Sequence, residues 1–330
     1  MGVVRSLLPS ILVLAVAILS GPALAQRKAA AEPLRGYCVM AGGLGRAPRS
    51  ETEMWPNTVK AHLEFIERAR INLVVIETPY GIGKRHPKSP AVARFIRKLR
   101  ERKVAVWLIY PHVLAQTFDL PRQVGRDGER VEWNCCFNDP KVQDWLVENG
   151  VGLVEAYEPD ALVLFGTFHV GSACHCAKCK AAKSKDTEIQ ERFFRRLDAA
   201  VAKVDEDVQI GTCDFWTRPT KATQQAVDLL CPVASIFRPG YADARRVTEE
   251  IRALPKANKK ARVVPYIKVF LASQTKSETA DLLGAVREAT ERGDGFFLWG
   301  YNPGHSYRGQ DYDHEVIARE LAALAPKKKR

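Results

Sequence analysis

The sequence predicts an α/β chain folded as a single (β/α)8 barrel, on three observations. Apolar runs of strand length alternate with amphipathic runs of helix length along nearly the whole chain. Eight such pairs fit into about 290 residues, the size of one closed barrel. None of the eight apolar runs is short or charged in the way that protects the edge of an open sheet.

In order, the predicted strands are Gly36–Gly43, Ile71–Tyr80, Val104–Val113, Asp160–Val170, Val208–Trp216, Val233–Tyr241, Ala261–Phe270 and Gly295–Tyr301. The predicted helices are Thr52–Arg70, Ser89–Lys103, Pro140–Glu158, Thr187–Asp205, Lys221–Leu230, Ala244–Leu254, Ser277–Arg292 and His314–Ala325. Ser89-Pro90, Asp139-Pro140 and Ser277 before Glu278 each place a capping side chain or a first-turn proline where a helix begins. A doubly wound open sheet is the alternative, but Gly42-Gly43-Leu44-Gly45 only loosely approaches the phosphate turn such a fold carries after its first strand.

The beginning of the chain reads as an export signal. Arg5, the apolar run Ile11 to Leu19, and Ala23-Leu24-Ala25 after Gly21-Pro22 predict cleavage after Ala25. The apolar stretch is too short to span a bilayer comfortably. The predicted organisation is therefore a signal at 1–25, a linker at 26–35, a barrel at 36–325 and a basic tail at 326–330, in a secreted or periplasmic protein with no stable membrane insertion. Arg5 is the only charge removed, so the formal net charge passes from +12 to +11. Its basic residues are interleaved with acids on helix-like stretches and accompany no nucleic-acid motif, which reads as a solvated face.

Chemistry in a barrel collects where strands end. The strand endings are Glu77 and Tyr80, Tyr110 and His112, Thr167 and His169, Asp214 and Trp216, Arg238, Lys268, and Trp299 and Tyr301. Glu77 and Asp214 are the strand-end acids, with Asp311 and Asp313 in reserve. Tyr110, Trp216, Trp299 and Tyr301 suit either sugar platforms or core packing, and His112, His169, Arg238 and Lys268 suit hydroxyl or carboxylate partners. His112 and His169 as ligands of a catalytic metal form a further reading.

The densest local signal is Cys174-His175-Cys176-Ala177-Lys178-Cys179, after the fourth predicted strand, with Cys135-Cys136 before the third helix. Three thiols at this spacing suit one side of a tetrahedral zinc ion that a distant fourth ligand closes. An exported chain also permits disulfides, although pairing within Cys-x-Cys is sterically poor. Lys178, Lys180, Lys183 and Lys185 offset the charge of a thiolate site. Cys38, Cys213 and Cys231 read as small core residues.

Cys136-Phe137-Asn138-Asp139-Pro140, a helix ending at Tyr157-Glu158-Pro159-Asp160, a strand and then Cys174-x-Cys176-x-x-Cys179 resemble the zinc-binding segment of glycoside hydrolase family 42 β-galactosidases. The close match covers about Cys136 to Cys179. The resemblance implies a TIM barrel, a structural zinc on Cys136, Cys174, Cys176 and Cys179, and a carbohydrate substrate. The closing Gly295-Phe296-Phe297-Leu298-Trp299-Gly300-Tyr301 also looks like the eighth strand of many sugar-cleaving barrels. The family's two glutamates are not matched: Leu164-Phe165 stands at the end of the fourth strand and Tyr266-Ile267-Lys268 at the seventh. Glycoside cleavage ordinarily needs two carboxyl groups, which directs attention to Glu77 and Asp214 and to an inverting mechanism. The expectation is an exported glycoside hydrolase with structural zinc; the alternative is a non-catalytic carbohydrate-binding barrel.

Overall fold

The computed structural model describes residues 32–40, 59–78, 89–111, 120–165, 174–181, 186–214, 225–235, 261–268, 277–301, 303 and 310–326, with several side chains in these ranges left undescribed. The strands are β1 (Leu34–Met40), β2 (Leu73–Glu77), β3 (Ala105–Pro111), β4 (Arg122–Val124), β5 (Arg130–Cys135), β6 (Ala161–Phe165), β7 (Gln209–Asp214), β8 (Leu229–Ser235), β9 (Arg262–Val263), β10 (Tyr266–Lys268), β11 (Ser277–Glu278), β12 (Gly295–Trp299) and β13 (Gln310–Asp311). The helices are α1 (Val59–Arg68), α2 (Pro90–Glu101), α3 (Pro140–Tyr157), α4 (Ala177–Ala181), α5 (Asp186–Val201), α6 (Thr279–Arg292) and α7 (His314–Ala323). None of these helices is long and apolar enough to cross a membrane.

The sheet closes on itself. Parallel pairing runs β1–β2–β3–β6–β7–β8–β10–β12 and returns from β12 to β1, with β9 continuing the β10 line beside β8. Traced once around the ring, these registers return eight residues along the starting strand, the shear of a (β/α)8 barrel. Pro33 to Arg330 forms one compact unit. The doubly wound alternative, which needs two free edges, is therefore set aside.

Alternation along each strand divides the apolar residues into two cores. Val74 and Ile76 of β2, Val106 and Leu108 of β3, and Leu162 and Leu164 of β6 face the helices, meeting Phe65 and Ile66 of α1, Phe95 and Leu99 of α2, and Phe193 and Leu197 of α5. The intervening residues, including Leu73, Val75, Trp107, Ile109, Val163, Cys213, Cys231, Tyr266 and Phe297, fill the ring. Burying each large apolar side chain contributes about 1.5–3 kcal/mol.

The shear sorts the ring interior into layers of four residues from alternate strands. One layer holds Gly36, Trp107, Gly211 and Val264, so the indole of Trp107 lies between two residues that lack side chains. A Cβ at Gly36 would stand 2.9 Å from Leu73 Cδ2, and one at Gly211 would stand 2.9 Å from Leu229 Cβ. Above it come Val75, Val163, Cys231 and Phe297, then Cys38, Ile109, Cys213 and Tyr266, and then a layer containing Glu77, Phe165 and Trp299.

Several elements differ from expectation. The sixth ring strand is Leu229–Ser235, four residues before the predicted Val233, because Leu229 to Cys231 pair with Gly211 to Cys213 and Pro232 is tolerated opposite Asp214. The proline disguises this strand in the sequence, since it cannot donate to a ladder. Leu229 and Leu230, the end of the helix predicted over Lys221–Leu230, are strand, and residues 221–224 of that helix lie outside the described residues. The seventh strand is split at Val264-Pro265, and Pro265 still accepts through its carbonyl from Phe297 N at 3.1 Å. Ser277-Glu278 pairs with Gln310-Asp311 instead of starting a helix. The β4–β5 hairpin was not expected. The helix predicted over Ala244–Leu254 lies outside the described residues.

Both caps with a first-turn proline form as expected. The Ser89 hydroxyl accepts from Val92 N at 3.5 Å and Asp139 accepts from Lys141 N at 3.0 Å.

Candidate functional site

Residues of the uppermost described layer converge at the carboxyl ends of the strands. Glu77 ends β2 and Trp299 ends β12, each two residues beyond an inward apolar residue, Val75 and Phe297, so the pleat turns both inward. The Trp299 indole N–H donates to Glu77 Oε2 at 3.2 Å. Phe165, the last residue of β6, completes the aromatic wall with its ring 6.2 Å from that of Trp299. Tyr266 packs edge-on beneath Trp299 at 6.2 Å.

Burial raises the Glu77 pKa above the ordinary carboxylate value, and the Trp299 hydrogen bond only partly offsets this. The cause lies in the floor. The layer below supplies Cys38, Ile109, Cys213 and Tyr266, none of which carries a charge that would favour an ionised carboxyl. Burial, then the neighbouring Glu77, hold the Cys38 thiol well above its usual range. A mostly buried carboxyl that keeps its proton into milder pH is suited to donate that proton.

The other candidates divide. Asp214 closes β7 with its backbone paired to Pro232, and its side chain is outside the described residues, as are those of Tyr110 on β3 and Lys268 on β10. The inward residue described nearest this end of β7 is Cys213, in the layer below Glu77. His112, His169, Trp216 and Arg238 lie wholly outside the described residues.

Tyr301 is brought to a different place. The strand ends at Trp299, Gly300 turns the chain at φ 80°, and Tyr301 enters the outer core. Its ring lies 5.4 Å from Phe65 of α1 and its hydroxyl lies 2.9 Å from His314 Nδ1 of α7, with 3% exposure. Of its two readings, packing is the one realised.

The cysteines form a second centre. Sulfur atoms of Cys136, Cys174, Cys176 and Cys179 all lie within 4.8 Å of one another. Cys136 Sγ is 3.7 Å from Cys176 Sγ and 3.5 Å from Cys179 Sγ, and all eight cysteines are free thiols. A tetrahedral ion with about 2.3 Å bonds to sulfur separates its ligands by about 3.8 Å, so the donor set fits zinc. Burial is the main cause that pushes Cys136 well above the usual thiol range and Cys179 to about 12. Burial also raises Cys176, but the Cys179 backbone N–H and the neighbouring thiols outweigh it and bring its pKa below the usual value.

Local structure presents these thiols. Cys136 N donates to Pro121 O at 2.8 Å and His175 N to Val124 O at 2.7 Å, which ties both cysteine segments to the β4–β5 hairpin. Asp139 caps α3 and receives Lys178 Nζ at 2.5 Å. The hairpin, the salt bridge and the aromatic wall at Phe165 were missed in the sequence. The cap Asp139 beside the cysteine segment was the legible trace of the second.

Among solved structures, the glycoside hydrolase domain of PgaB (BpsB) from Bordetella bronchiseptica is similar, with a TM-score of 0.63 and 12% identity over 90% of this chain and 100% of that one. An endo-1,4-β-mannanase from Eisenia fetida gives 0.54 and 12%, covering 90% of this chain and 91% of its own. The maltogenic α-amylase AmyB from Thermotoga neapolitana gives 0.52 and 11%, covering 88% and 76%. At these identities the likeness is one of fold. No family model matches the sequence and no curated protein matches it.

Proposed function

We propose that the chain is an exported glycoside hydrolase, secreted or periplasmic, whose barrel mouth uses Glu77 as general acid. The single observation that carries the reading is a mostly buried carboxyl at the end of β2, its pKa raised by that burial, hydrogen-bonded to the Trp299 indole beside an aromatic wall. Glu77 gives its proton to the glycosidic oxygen as the bond from that oxygen to the anomeric carbon breaks. Asp214, three strands further round the ring and next to the inward Cys213, takes a proton from the water that attacks the opposite face, which requires the chain to leave the alternation of β7 at its last residue. That pairing leaves room for the water and inverts the anomeric centre, as carboxyls about 6.5–9.5 Å apart do. Trp299 offers its face to a sugar ring, with Tyr110, Trp216, His112, His169, Arg238 and Lys268 as further mouth residues.

The Cys136, Cys174, Cys176 and Cys179 site is assigned to structural zinc, supported by the sulfur separations and by the resemblance of this segment to family 42 β-galactosidases. Four thiolates fill the shell, so zinc would hold the two mouth loops together and take no part in the reaction. The domain reading adds a signal at 1–25 and a linker from 26 that stops short of β1, since Leu34 and Arg35, placed in the linker by the sequence, pair with β12.

The test is turnover on a glycan panel by the wild type, Glu77→Gln and Asp214→Asn. Unchanged rates in either variant remove that residue from the mechanism. A second reading, a carbohydrate-binding barrel without catalysis, is favoured by Phe165, which packs on Trp299 where the resembled family carries its acid. Binding isotherms with no product from any glycan would select it.

A further inference from the structure

Helix α2 carries an unusual charge distribution for the outer layer of this barrel. Its buried residues Val92, Phe95, Ile96 and Leu99 fix which face turns inward. Arg94, Arg97 and Lys98 are consequently exposed, at spacings of three and four residues that make them neighbours on the helix surface. Among the described residues no acid pairs with any of the three.

Neighbouring cations are used differently. Arg100 reaches Glu158, and Arg102 reaches Glu67 at 2.9 Å. Lys60 and Arg68 of α1 pair with Glu64 and Glu315, and Arg195 and Arg196 of α5 pair with Glu191 and Asp144. The stretch from Thr78 to Arg100, which begins directly after Glu77, contains seven Lys and Arg residues and no Asp or Glu. Like charges set side by side repel one another, and a bound polyanion relieves that repulsion.

We propose that the outer face of α2 is a docking surface for an anionic polysaccharide, which deepens the carbohydrate-active reading and rests on it: the substrate class is an acidic glycan. An extended polymer with a carboxylate on successive sugars matches a stripe of cations along a helix. A lipid surface would require apolar side chains beside the basic ones, and this face is made of Arg94, Arg97, Lys98, Arg100 and Glu101.

The test is affinity electrophoresis of the full chain in gels containing polygalacturonate or neutral dextran, with phosphatidylglycerol vesicles and duplex DNA as competitors. Polygalacturonate retards the wild type and dextran does not. Arg94→Glu, Arg97→Glu and Lys98→Glu together weaken the interaction by about tenfold or more, and added salt weakens it in the wild type. The corresponding triple glutamine variant gives a smaller loss in the same direction and serves if charge reversal impairs folding. Undiminished retardation of both triple variants, absence of retardation in the wild type, or tighter binding to DNA or vesicles overturns the proposal. Cleavage that survives Glu77→Gln while α2-dependent retardation persists instead removes the catalytic assignment and leaves the docking surface standing.

Discussion

Trp299 and Glu77, 222 residues apart in sequence, share a hydrogen bond of 3.2 Å across the mouth of the barrel. Because the indole N–H interacts best with an ionised carboxylate, it lowers a pKa that burial raises. Trp299→Phe should therefore move the Glu77 pKa further up. Measured as the pH dependence of kcat/KM on a cleavable glycan, the alkaline limb shifts to higher pH. An unshifted limb with a reduced rate would mean that Trp299 serves the sugar alone. Glu77→Gln should lower kcat by about 10²–10⁴-fold, the usual worth of a general acid.

Glu77 also leaves a signature in stability. Its folded pKa is raised, so the stability it contributes is fully present below the unfolded carboxylate pKa of about 4.3 and is lost as pH rises through the folded value. Glu77→Gln should remove that loss and make the protein more stable at neutral pH. Urea midpoints at pH 4 and pH 7 measure the difference. A variant less stable at neutral pH contradicts it.

His62 gives the opposite slope. It is 7% exposed, lies 2.9 Å through Nδ1 from the Tyr37 hydroxyl, and burial lowers its pKa to about 4. A depressed folded pKa means that its contribution is complete above about 6.5 and is lost as pH falls towards 4. The loss amounts to about 3 kcal/mol. His62→Gln should flatten the acid side of the stability curve between those values, which denaturant titrations at each pH would detect.

The cysteine centre predicts one zinc per chain by elemental analysis and all eight thiols reacting with a colorimetric reagent when the protein is unfolded in the presence of a chelator. Cys176→Ser should destabilise by about 3 kcal/mol or more, since structural zinc binding is folding free energy. Metal-free protein in which these four cysteines titrate as disulfides would refute the assignment.

Gly211→Ala tests the layer that holds Trp107. The new methyl would stand 2.9 Å from Leu229 Cβ and 3.2 Å from Val163 Cγ2, neither of which is the end of a flexible chain. Overpacking of this kind costs about 1–3 kcal/mol. A variant as stable as the wild type in guanidinium would show that the ring relaxes around it.

Legibility followed the range of the forces involved. The ring was readable because alternation and helix periodicity are local, and so were the caps at Ser89 and Asp139. The cysteine cluster was readable because three of its thiols sit within six residues. The sixth strand was misplaced because Pro232 looks like a boundary, whereas its pairing partner Asp214 accommodates it. Tyr301, which the sequence left open between platform and packing, enters the outer core because one glycine, Gly300, ends the inward alternation of β12.

By itself the sequence determined the eight-fold alternation, the cysteine segment and the acid at the end of the second strand, all properties of neighbouring residues. Only the tertiary structure decided that the last strand closes on the first and that Trp299 meets Glu77. Those contacts depend on a shear of eight accumulated around a closed ring, a quantity no single segment carries.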